Sequence, residues 1–447
     1  FNQRNIIEIW QINMEPINDT NCGWLHGIEK INLTKRIKGS HTADYLIIGA
    51  GITGLSAARQ LGNLKPNKRI FIVDAQRSGE GASSRNSGYL VESTLNDGFV
   101  SNKKLEGYRE KTNMYRHGIK AVKNFIDNHQ VDCDWNECGK YYASSNIDDK
   151  NRLIEFSKTL ESIDINHELL NESDLKSRLG TNFYKTSIFT KGDVMLNPAK
   201  LTRSMIKALP NNIRLFENSK LIKWNKSNKI INCFFENGSI ATSNIIFCTN
   251  GFLNSLKIKS NYSFPLLLTA SMTRPLTDNE FKSIGSPKEW GVLSVRPMGA
   301  TVRLTADKRI LIRNTAEVST SSTLNQKKMM IRKQLHQSGI RKRFPSLSDG
   351  IIESTWSGIA CRSGNAAQIF QKKDNNIYIA GCFNGSGLGL GTLFGEQIAN
   401  KACGHETEEI KLIEKSKSPN WLPPEPFLSL GIRLRLMRDR FNASSDT

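Results

Sequence analysis

A glycine-rich turn near the start of the chain is the first feature whose residue types and spacing could do chemistry. Gly49, Gly51 and Gly54 form a GxGxxG pattern, and Asp74 follows at the spacing expected of a residue that binds a ribose hydroxyl. Gly49 permits a tight turn, Gly51 lets a pyrophosphate approach the backbone, and Gly54 lets a helix press against a sheet. The first N–H groups of that helix favour phosphate. The pattern predicts a dinucleotide site that disfavours a 2′-phosphate; a turn that merely needs glycine is the alternative.

A second run, residues 79–90, follows the next predicted strand almost immediately and has the sequence GEGASSRNSGYL. Its small residues and hydroxyls suit a backbone that wraps around a large planar ligand. Arg85 and Asn86 could bind a phosphate or the edge of a heterocycle, because guanidinium and amide groups are multiple donors. An ordinary polar loop is the alternative.

A third run, residues 381–391, places Gly385, Gly387, Gly389 and Gly391 at alternate positions. We expect them to lie just before a helix that begins at Thr392, so that the positive end of the helix dipole faces a ligand. A flavin fits this arrangement, because its reduced form carries negative charge that a helix N-terminus stabilises.

Together these runs resemble the FAD-dependent D-amino-acid oxidase (DAO) superfamily, and within it the members similar to gamma-glutamylputrescine oxidoreductase and to glycine and sarcosine oxidases. The resemblance extends from about residue 43 to about residue 404. It rests on IIGAGITGLSAARQL, IVDA and GASSRNSGYL, and on the later segments 192–198, 248–251, 303–309, 356–358, 383–387 and 421–424. It implies a FAD-dependent oxidoreductase that oxidises a C–N bond of an amine or amino acid by hydride transfer to flavin N5, with hydrolysis of the imine that forms.

The resemblance also implies which residues bind FAD. The set comprises Gly49, Gly51, Ile52, Thr53, Gly54, Asp74, Ala75, Gly81, Ala82, Ser83, Arg85, Asn86, Ser87, Gly88, Thr249, Asn250, Gly251, Trp356, Gly358, Asn384, Gly385, Gly387, Leu388 and Gly389. Some relatives hold FAD covalently, but Cys361 does not match their register, and a buried structural cysteine is the favoured interpretation.

The catalytic residues stay open, with Arg313, Tyr89 and Arg303 as candidates. Arg313 and Asn314 stand where the family usually has a Gly-Gly pair, and Gln368 stands where it commonly has a proline. Arg313 could bind a substrate carboxylate through two parallel hydrogen bonds, or it could be an exposed strand residue. Because both departures belong near the flavin, a non-catalytic member that retains FAD is one alternative function.

Hydrophobic periodicity predicts the elements that must position these residues. Strands at 44–48 and 69–73 flank the first glycine turn, and the run 377–383 predicts a late buried strand. The fold class is α/β, α+β overall: a Rossmann-type FAD-binding domain with an inserted mixed-sheet substrate domain. The predicted division is an N-terminal arm over 1–40, with Trp10 and Trp24 packed on the body; a FAD-binding domain over 41–100, 190–260 and 345–410; a substrate domain over 101–189 and 261–344; and a tail over 411–447.

Composition limits which other functional classes the chain could belong to. The chain has 447 residues, a formal net charge of +20 and 38% hydrophobic residues, which is lean but sufficient for a sizeable core. The charge raises the alternative of a flavoprotein that acts on modified tRNA. Since the basic residues are spread along the chain, background surface charge is the favoured interpretation.

The eight cysteines occur without a CxxC pair, and the histidines do not pair at metal-ligand spacing. We therefore expect free thiols, no metal and a cytoplasmic location. No apolar run is long enough to span a membrane. The basic amphipathic segment 428–441 predicts a helix that docks on its own domain or, alternatively, lies on an anionic membrane.

Overall fold

The first strand, the glycine turn and the first helix form where the sequence predicts them. The apolar run at 44–48 ends β1 (Gly39–Ile48), the chain turns at Gly49 into α1 (Ile52–Leu64), and it returns as β2 (Ile70–Val73). Every residue of β2 is buried, as expected of a strand covered on both faces.

The structure, a computed structural model, describes residues 14–19, 21–29, 31, 35–95, 105–259 and 261–447. The further helices are α2 (Ala82–Arg85), α3 (Leu105–His129), α4 (Lys150–Glu161), α5 (Glu172–Leu179), α6 (Pro198–Lys207), α7 (Asp278–Ser283), α8 (Gln326–Arg343), α9 (Gly387–Ala402), α10 (Glu408–Lys415) and α11 (Phe427–Asn442). The further strands are β3 (Tyr89–Leu90), β4 (Lys140–Ser144), β5 (His167–Asn171), β6 (Thr186–Thr190), β7 (Val194–Met195), β8 (Ile213–Phe216), β9 (Leu221–Ser227), β10 (Ile230–Phe235), β11 (Gly238–Phe247), β12 (Phe264–Thr273), β13 (Trp290–Ser294), β14 (Thr301–Leu304), β15 (Ile310–Glu317), β16 (Ile352–Arg362), β17 (Ile369–Asp374) and β18 (Ile377–Gly381).

The first sheet has the order β17-β18-β11-β1-β2-β8, with the β9–β10 hairpin added beside β11. Its central strands β18, β11, β1, β2 and β8 are all parallel. The carboxyl ends of β1, β2, β11 and β18 therefore meet at one edge, where ligands bind in open α/β sheets.

The second sheet has the order β16-β12-β15-β14-β13-β4-β6-β5 and is antiparallel except for the β4–β13 pair. Its core is built around Trp290, Val302, Ile312 and Phe344. Sheet membership bears on the proposed division of the chain: β16, which lies in the range assigned to the FAD-binding domain, pairs along its length with β12 of this second sheet.

Helix crossings beside the first sheet are close because a glycine lies at each contact. A Cβ added at Gly118 of α3 would lie 2.8 Å from the backbone of Gly389 in α9, and one added at Gly391 would lie 2.9 Å from the Ile52 side chain of α1. These three helices bury Leu55, Val122 and Leu393 against one face of the sheet.

The two chain ends pack onto the body in different ways. Trp24 is buried, as predicted, and its indole N–H donates to the Asn86 carbonyl at 2.7 Å; Trp10 lies outside the described residues. At the other end, the buried Asp446 carboxylate accepts hydrogen bonds from the Ser145 backbone and hydroxyl and from the Ser294 hydroxyl. This contact anchors the end of α11 to the second sheet.

Candidate active site

One large cavity of about 1400 Å³ begins at the carboxyl edge of the first sheet and extends to the second. Its lining includes Gly49 and Asp74 on one side and Leu268 and Arg313 on the other. A pocket for one drug-sized ligand has roughly 300–1,000 Å³. The cavity therefore has room for a ligand of dinucleotide size and a small second molecule.

The turn at this edge requires glycine at 49, 51 and 54, because of backbone conformation at the first position and close contacts at the other two. Gly49 has a φ of 100°, in the left-handed region that favours glycine. A Cβ on Gly54 would overlap the Gly49 carbonyl oxygen, and one on Gly51 would lie 2.8 Å from the Ser83 hydroxyl. The turn therefore leaves the N-terminus of α1 open toward the cavity, and the backbone N–H of Ile52 already donates to Ser83 Oγ at 2.8 Å.

Asp74 lies at the end of β2 and lines the cavity. One of its carboxylate oxygens accepts the Ala50 N–H at 2.7 Å and the other accepts the Gln76 N–H at 2.9 Å. Burial nevertheless raises the pKa of Asp74 to about 6. Each oxygen has a further lone pair, so the carboxylate can still accept a hydroxyl donor.

Arg85 and Asn86 in the second run hold the loop. The Arg85 guanidinium donates to Asp19 Oδ1 at 2.7 Å and to the Glu80 and Ser357 carbonyls. The Asn86 side chain bonds to Ala82, Ser83 and Gly88 of the same loop. Both residues line the cavity, but these protein partners engage the polar groups that the sequence offers to a phosphate or a heterocycle.

The loop after β11 presents a polar atom toward the same space. Thr249 lines the cavity, and its buried hydroxyl has no hydrogen-bond partner among the described residues. Buried polar atoms are nearly always paired in native proteins, so this hydroxyl fits a ligand group. The neighbouring Asn250, with a φ of 46°, holds the loop by accepting the Cys382 N–H at 2.9 Å.

The third glycine run corrects the prediction made from it. Helix α9 begins at Gly387 rather than at Thr392, so Gly387, Gly389 and Gly391 lie inside its first turns. Gly389 and Gly391 permit the close helix crossings described above and do not line this cavity. Gly385, Gly387 and Leu388 do line it, so the N-terminus of α9 still faces the space, one turn earlier than predicted.

Most of the predicted FAD-binding set is brought together here, since all its members except Gly54, Gly88 and Gly389 line the cavity. Gly54 lies behind the turn, and Gly88, with a φ of 76°, packs against Leu196 and the Arg303 guanidinium. An open turn, two helix N-termini and an unpaired buried hydroxyl fit the phosphates and heterocycle of a dinucleotide cofactor.

Of the three catalytic candidates, Arg303 does not lie in the cavity. Its guanidinium is buried, donates to the Ser87 and Leu196 carbonyls, and forms an ion pair with Glu289 at 2.7 Å. These bonds join the loop before β3 to the second sheet. The proposed catalytic role of Arg303 is therefore replaced by a structural one.

Tyr89 and Arg313 do line the cavity. The Tyr89 hydroxyl donates to the Val302 carbonyl at 3.0 Å, and burial raises the pKa of this phenol, which stays protonated. Arg313 donates to the Thr301 hydroxyl at 2.7 Å and, among the described residues, has no carboxylate within ion-pair distance. Burial, reinforced by the neighbouring Arg362, lowers the pKa of Arg313 to about 10.

Asn314 and Gln368, the other departures from the family pattern, do not face the cavity. Strand alternation in β15 turns Asn314 away from Arg313, toward Gly339 of α8. Gln368 is buried outside the cavity lining. Cys361 lines the cavity as a free thiol beside the Cys382 thiol, and this contact together with burial raises the pKa of Cys382.

Sequence reasoning missed two segments of the site. Residues 14–18 contribute Met14 and Asn18 to the cavity lining, and the following Asp19 accepts hydrogen bonds from Ser357 as well as from Arg85. Helix α11 closes another part with Leu428, Ile432 and Leu436. The spacing of these last three residues is a helical stripe, which is the signal that could have revealed them.

A parallel-sheet nucleotide site that opens onto a second, largely antiparallel sheet is typical of two-part flavin oxidoreductases. The family model described as "FAD dependent oxidoreductase", DAO, matches residues 44–401. The chain therefore belongs to the DAO family of FAD-dependent oxidoreductases, as its sequence motifs predict.

Curated relatives match over nearly the whole chain. The gamma-glutamylputrescine oxidoreductase of Escherichia coli K12 is 24% identical over 416 residues, which are 90% of this chain and 94% of that protein. The probable oxidoreductase OrdL of Haemophilus influenzae is 24% identical over 390 residues, 85% of this chain and 86% of that one.

Solved structures share the fold. Glycine oxidase from Geobacillus kaustophilus superposes with a TM-score of 0.67 at 16% identity, covering 82% of this chain and 96% of that one. L-amino acid deaminase from Proteus myxofaciens gives 0.67 at 13% identity, covering 88% and 97%. These matches confirm the predicted α/β fold class.

Proposed function

We propose that the protein oxidises the C–N bond of a small amino acid or other amine that bears a carboxylate. Arg313 carries the proposal, since it is a largely buried cation in the cavity that no described carboxylate neutralises. A buried charge is costly unless it is paired, so the arrangement favours an anionic ligand. Relatives that include gamma-glutamylputrescine oxidoreductase and glycine oxidase support the same substrate class.

In this proposal the residues around Gly51, Asp74 and Thr249 would hold FAD. When bound there, FAD would supply the acceptor for a hydride from the substrate α-carbon, and water would hydrolyse the imine product. The protein supplies orientation. Arg313 holds the carboxylate through two N–H groups, while the Tyr89 ring forms part of the wall between the two sheets.

Arg313 and Arg362 also affect the protonation of the substrate. Two neighbouring cations disfavour a third positive charge, so they lower the pKa of an amine that binds beside them. The amine then loses its proton more readily and its lone pair can assist hydride departure. No histidine or lysine is needed as a permanent base in this scheme.

We also propose a cytoplasmic location, because the cysteines are free and most are buried. Among the described residues, the longest helices are too polar or too short to cross a bilayer. The division into FAD-binding and substrate domains also stays a proposal, with β16 better grouped with the second sheet.

An anaerobic screen tests the proposed function. The purified protein should be yellow, and amino acids should bleach its flavin absorbance while matched amines without a carboxylate react weakly. Arg313→Met should raise KM for the carboxylate substrates and leave the weak reaction with simple amines unchanged. A flavin that dithionite reduces but that no amine or amino acid bleaches would favour the non-catalytic alternative.

A further inference from the structure

Helix α11 has two apolar faces, and only one of them is used inside the protein. Leu428, Ile432 and Leu436 face the cavity. On the other side Phe427, Leu430, Leu434, Met437 and Phe441 follow one another at spacings of three and four residues; Phe427, at the start of the helix, also borders the cavity. We call these five residues the outer stripe.

The outer stripe is exposed to an unusual degree. The exposed fractions are 68% for Phe427, 58% for Leu430, 59% for Leu434, 65% for Met437 and 81% for Phe441. Single exposed apolar residues are ordinary, but a contiguous apolar patch on a soluble domain marks an interaction surface. Trp421, 58% exposed, lies shortly before the helix.

The stripe belongs to a helix that is firmly placed. Arg440 donates to the Ala316 carbonyl of β15, and the chain beyond the helix is held by the buried Asp446. Arg343 of α8 donates to the Asp446 carbonyl at 2.6 Å. Because Arg440 and the segment after α11 hold the helix on the second sheet while its inner face lines the cavity, the outer stripe faces away from the rest of the protein.

The charged residues beside the outer stripe indicate the kind of surface that it contacts. At 100° per residue, Arg433 and Arg438 project on either side of the outer stripe, and both are exposed. The helix carries four arginines against one acid, Asp439, which lines the cavity and pairs with Arg435 and Arg438 at 3.6 Å each. Four positive charges against one negative charge leave the helix with a net charge of +3. The whole chain has a net charge of +20.

We propose that the outer stripe of α11 docks the protein on an anionic lipid surface. An apolar face bordered by arginines is the arrangement of helices that lie in a membrane interface, with the apolar side chains among the acyl chains and the cations at the headgroups. A second copy of this chain fits less well, because its α11 would bring the same arginines into opposition. Since the inner face of α11 lines the cavity, a docked membrane lies about one helix diameter, ~10 Å, from the cavity wall.

Flotation of the FAD-loaded protein with vesicles tests this proposal. Vesicles of phosphatidylcholine and phosphatidylglycerol in equal parts should carry the protein upward, vesicles of phosphatidylcholine alone should not, and raised sodium chloride should weaken the binding. Leu434→Glu with Met437→Glu should weaken binding at least roughly 100-fold, because two buried apolar contacts are lost. Arg433→Glu with Arg438→Glu should weaken it roughly 30-fold or more.

The matched control is Ile147→Glu with Met330→Glu, since these residues are 56% and 55% exposed on other elements and lie outside the cavity lining. This variant should float like the original protein, and all variants should keep their FAD content and melting temperature. Equal flotation with both vesicle types, or unchanged flotation of the Leu434/Met437 variant, would overturn the proposal. So would a dimer in light scattering that the Leu434/Met437 variant dissociates, because the stripe would then be an interface between copies.

Discussion

Replacing Arg313 with methionine should stabilise the protein and weaken its substrate binding at the same time. Burial, with Arg362 nearby, lowers the pKa of Arg313 from 12.5 to about 10. Arg313 stays charged at neutral pH, but its lowered pKa means that the charge is less stable in the folded protein than in the unfolded chain. Each pKa unit corresponds to about 1.4 kcal/mol of folding free energy. This lowering of the pKa sets an upper bound of roughly 3.5 kcal/mol. Solvent screening in the open cavity reduces this to a gain of about 1–2 kcal/mol for a neutral side chain of similar length.

The same substitution removes the cation that the proposed carboxylate requires. Loss of a charged, partly buried hydrogen-bonded pair costs about 2–4 kcal/mol, so KM for carboxylate substrates should rise roughly 30- to 1000-fold. Urea unfolding of the FAD-saturated protein measures the stability, and steady-state kinetics measures KM. Arg313→Lys should retain part of the binding, because it keeps the charge but loses the two-pronged geometry.

Arg303→Met is the matched control, since Arg303 is also a buried arginine on the second sheet but has Glu289 as its partner at 2.7 Å. Its removal leaves a buried carboxylate unpaired and should destabilise the protein by about 3–5 kcal/mol. If Arg313→Met destabilises the protein as much as Arg303→Met, or leaves KM unchanged, then Arg313 is a structural residue and does not bind the substrate carboxylate.

Two further predictions concern the cofactor edge. Burial raises the pKa of Asp74 to about 6, and a ribose hydroxyl favours the charged carboxylate. The affinity of the apoprotein for FAD should therefore fall about tenfold from pH 7 to pH 5, as measured by titration with flavin fluorescence. The Asp74→Asn variant should bind FAD more weakly and without that pH dependence. Gly54→Ala should destabilise the protein by about 2–4 kcal/mol, because its Cβ would overlap the Gly49 carbonyl oxygen, whereas Gly107→Ala, which meets nothing within 4 Å, should be neutral or stabilising by about 0.5 kcal/mol. Equal melting temperatures for the two glycine variants would contradict this interpretation of the turn.

The cofactor edge could be predicted because local pattern determines it. A buried apolar run followed by GxGxxG leaves few conformations, and parallel pairing then brings the ends of β1, β2, β11 and β18 to one edge. The glycine motif could be placed without knowing any distant contact. Asp74 can be predicted in the same way, because it directly follows β2, the strand beside the one that leads into the turn.

The glycines of α9 could not be interpreted in this way. Alternate glycines at 385–391 suit a ligand loop and a close helix crossing equally well, and only the positions of α1 and α3 decide between them. The contacts of Gly389 with Gly118 and of Gly391 with Ile52 are long-range, more than 250 residues apart in the chain. A helix rich in glycine also scores poorly on propensity, so packing overrides the local preference that placed its start at Thr392.

The two arginines of the second sheet show the same limit at the site itself. Arg303 and Arg313 both follow short apolar strand segments, and nothing adjacent in the sequence distinguishes a paired arginine from an unpaired one. Glu289 neutralises Arg303 because β13 and β14 pair antiparallel with Gly291 opposite Arg303. Arg313 pairs in register with Thr301, which offers a hydroxyl and no charge. Strand register therefore decides that Arg303 forms a buried ion pair while Arg313 stays available to a substrate carboxylate. This difference in register is why the comparison of the Arg313 and Arg303 variants tests the proposal.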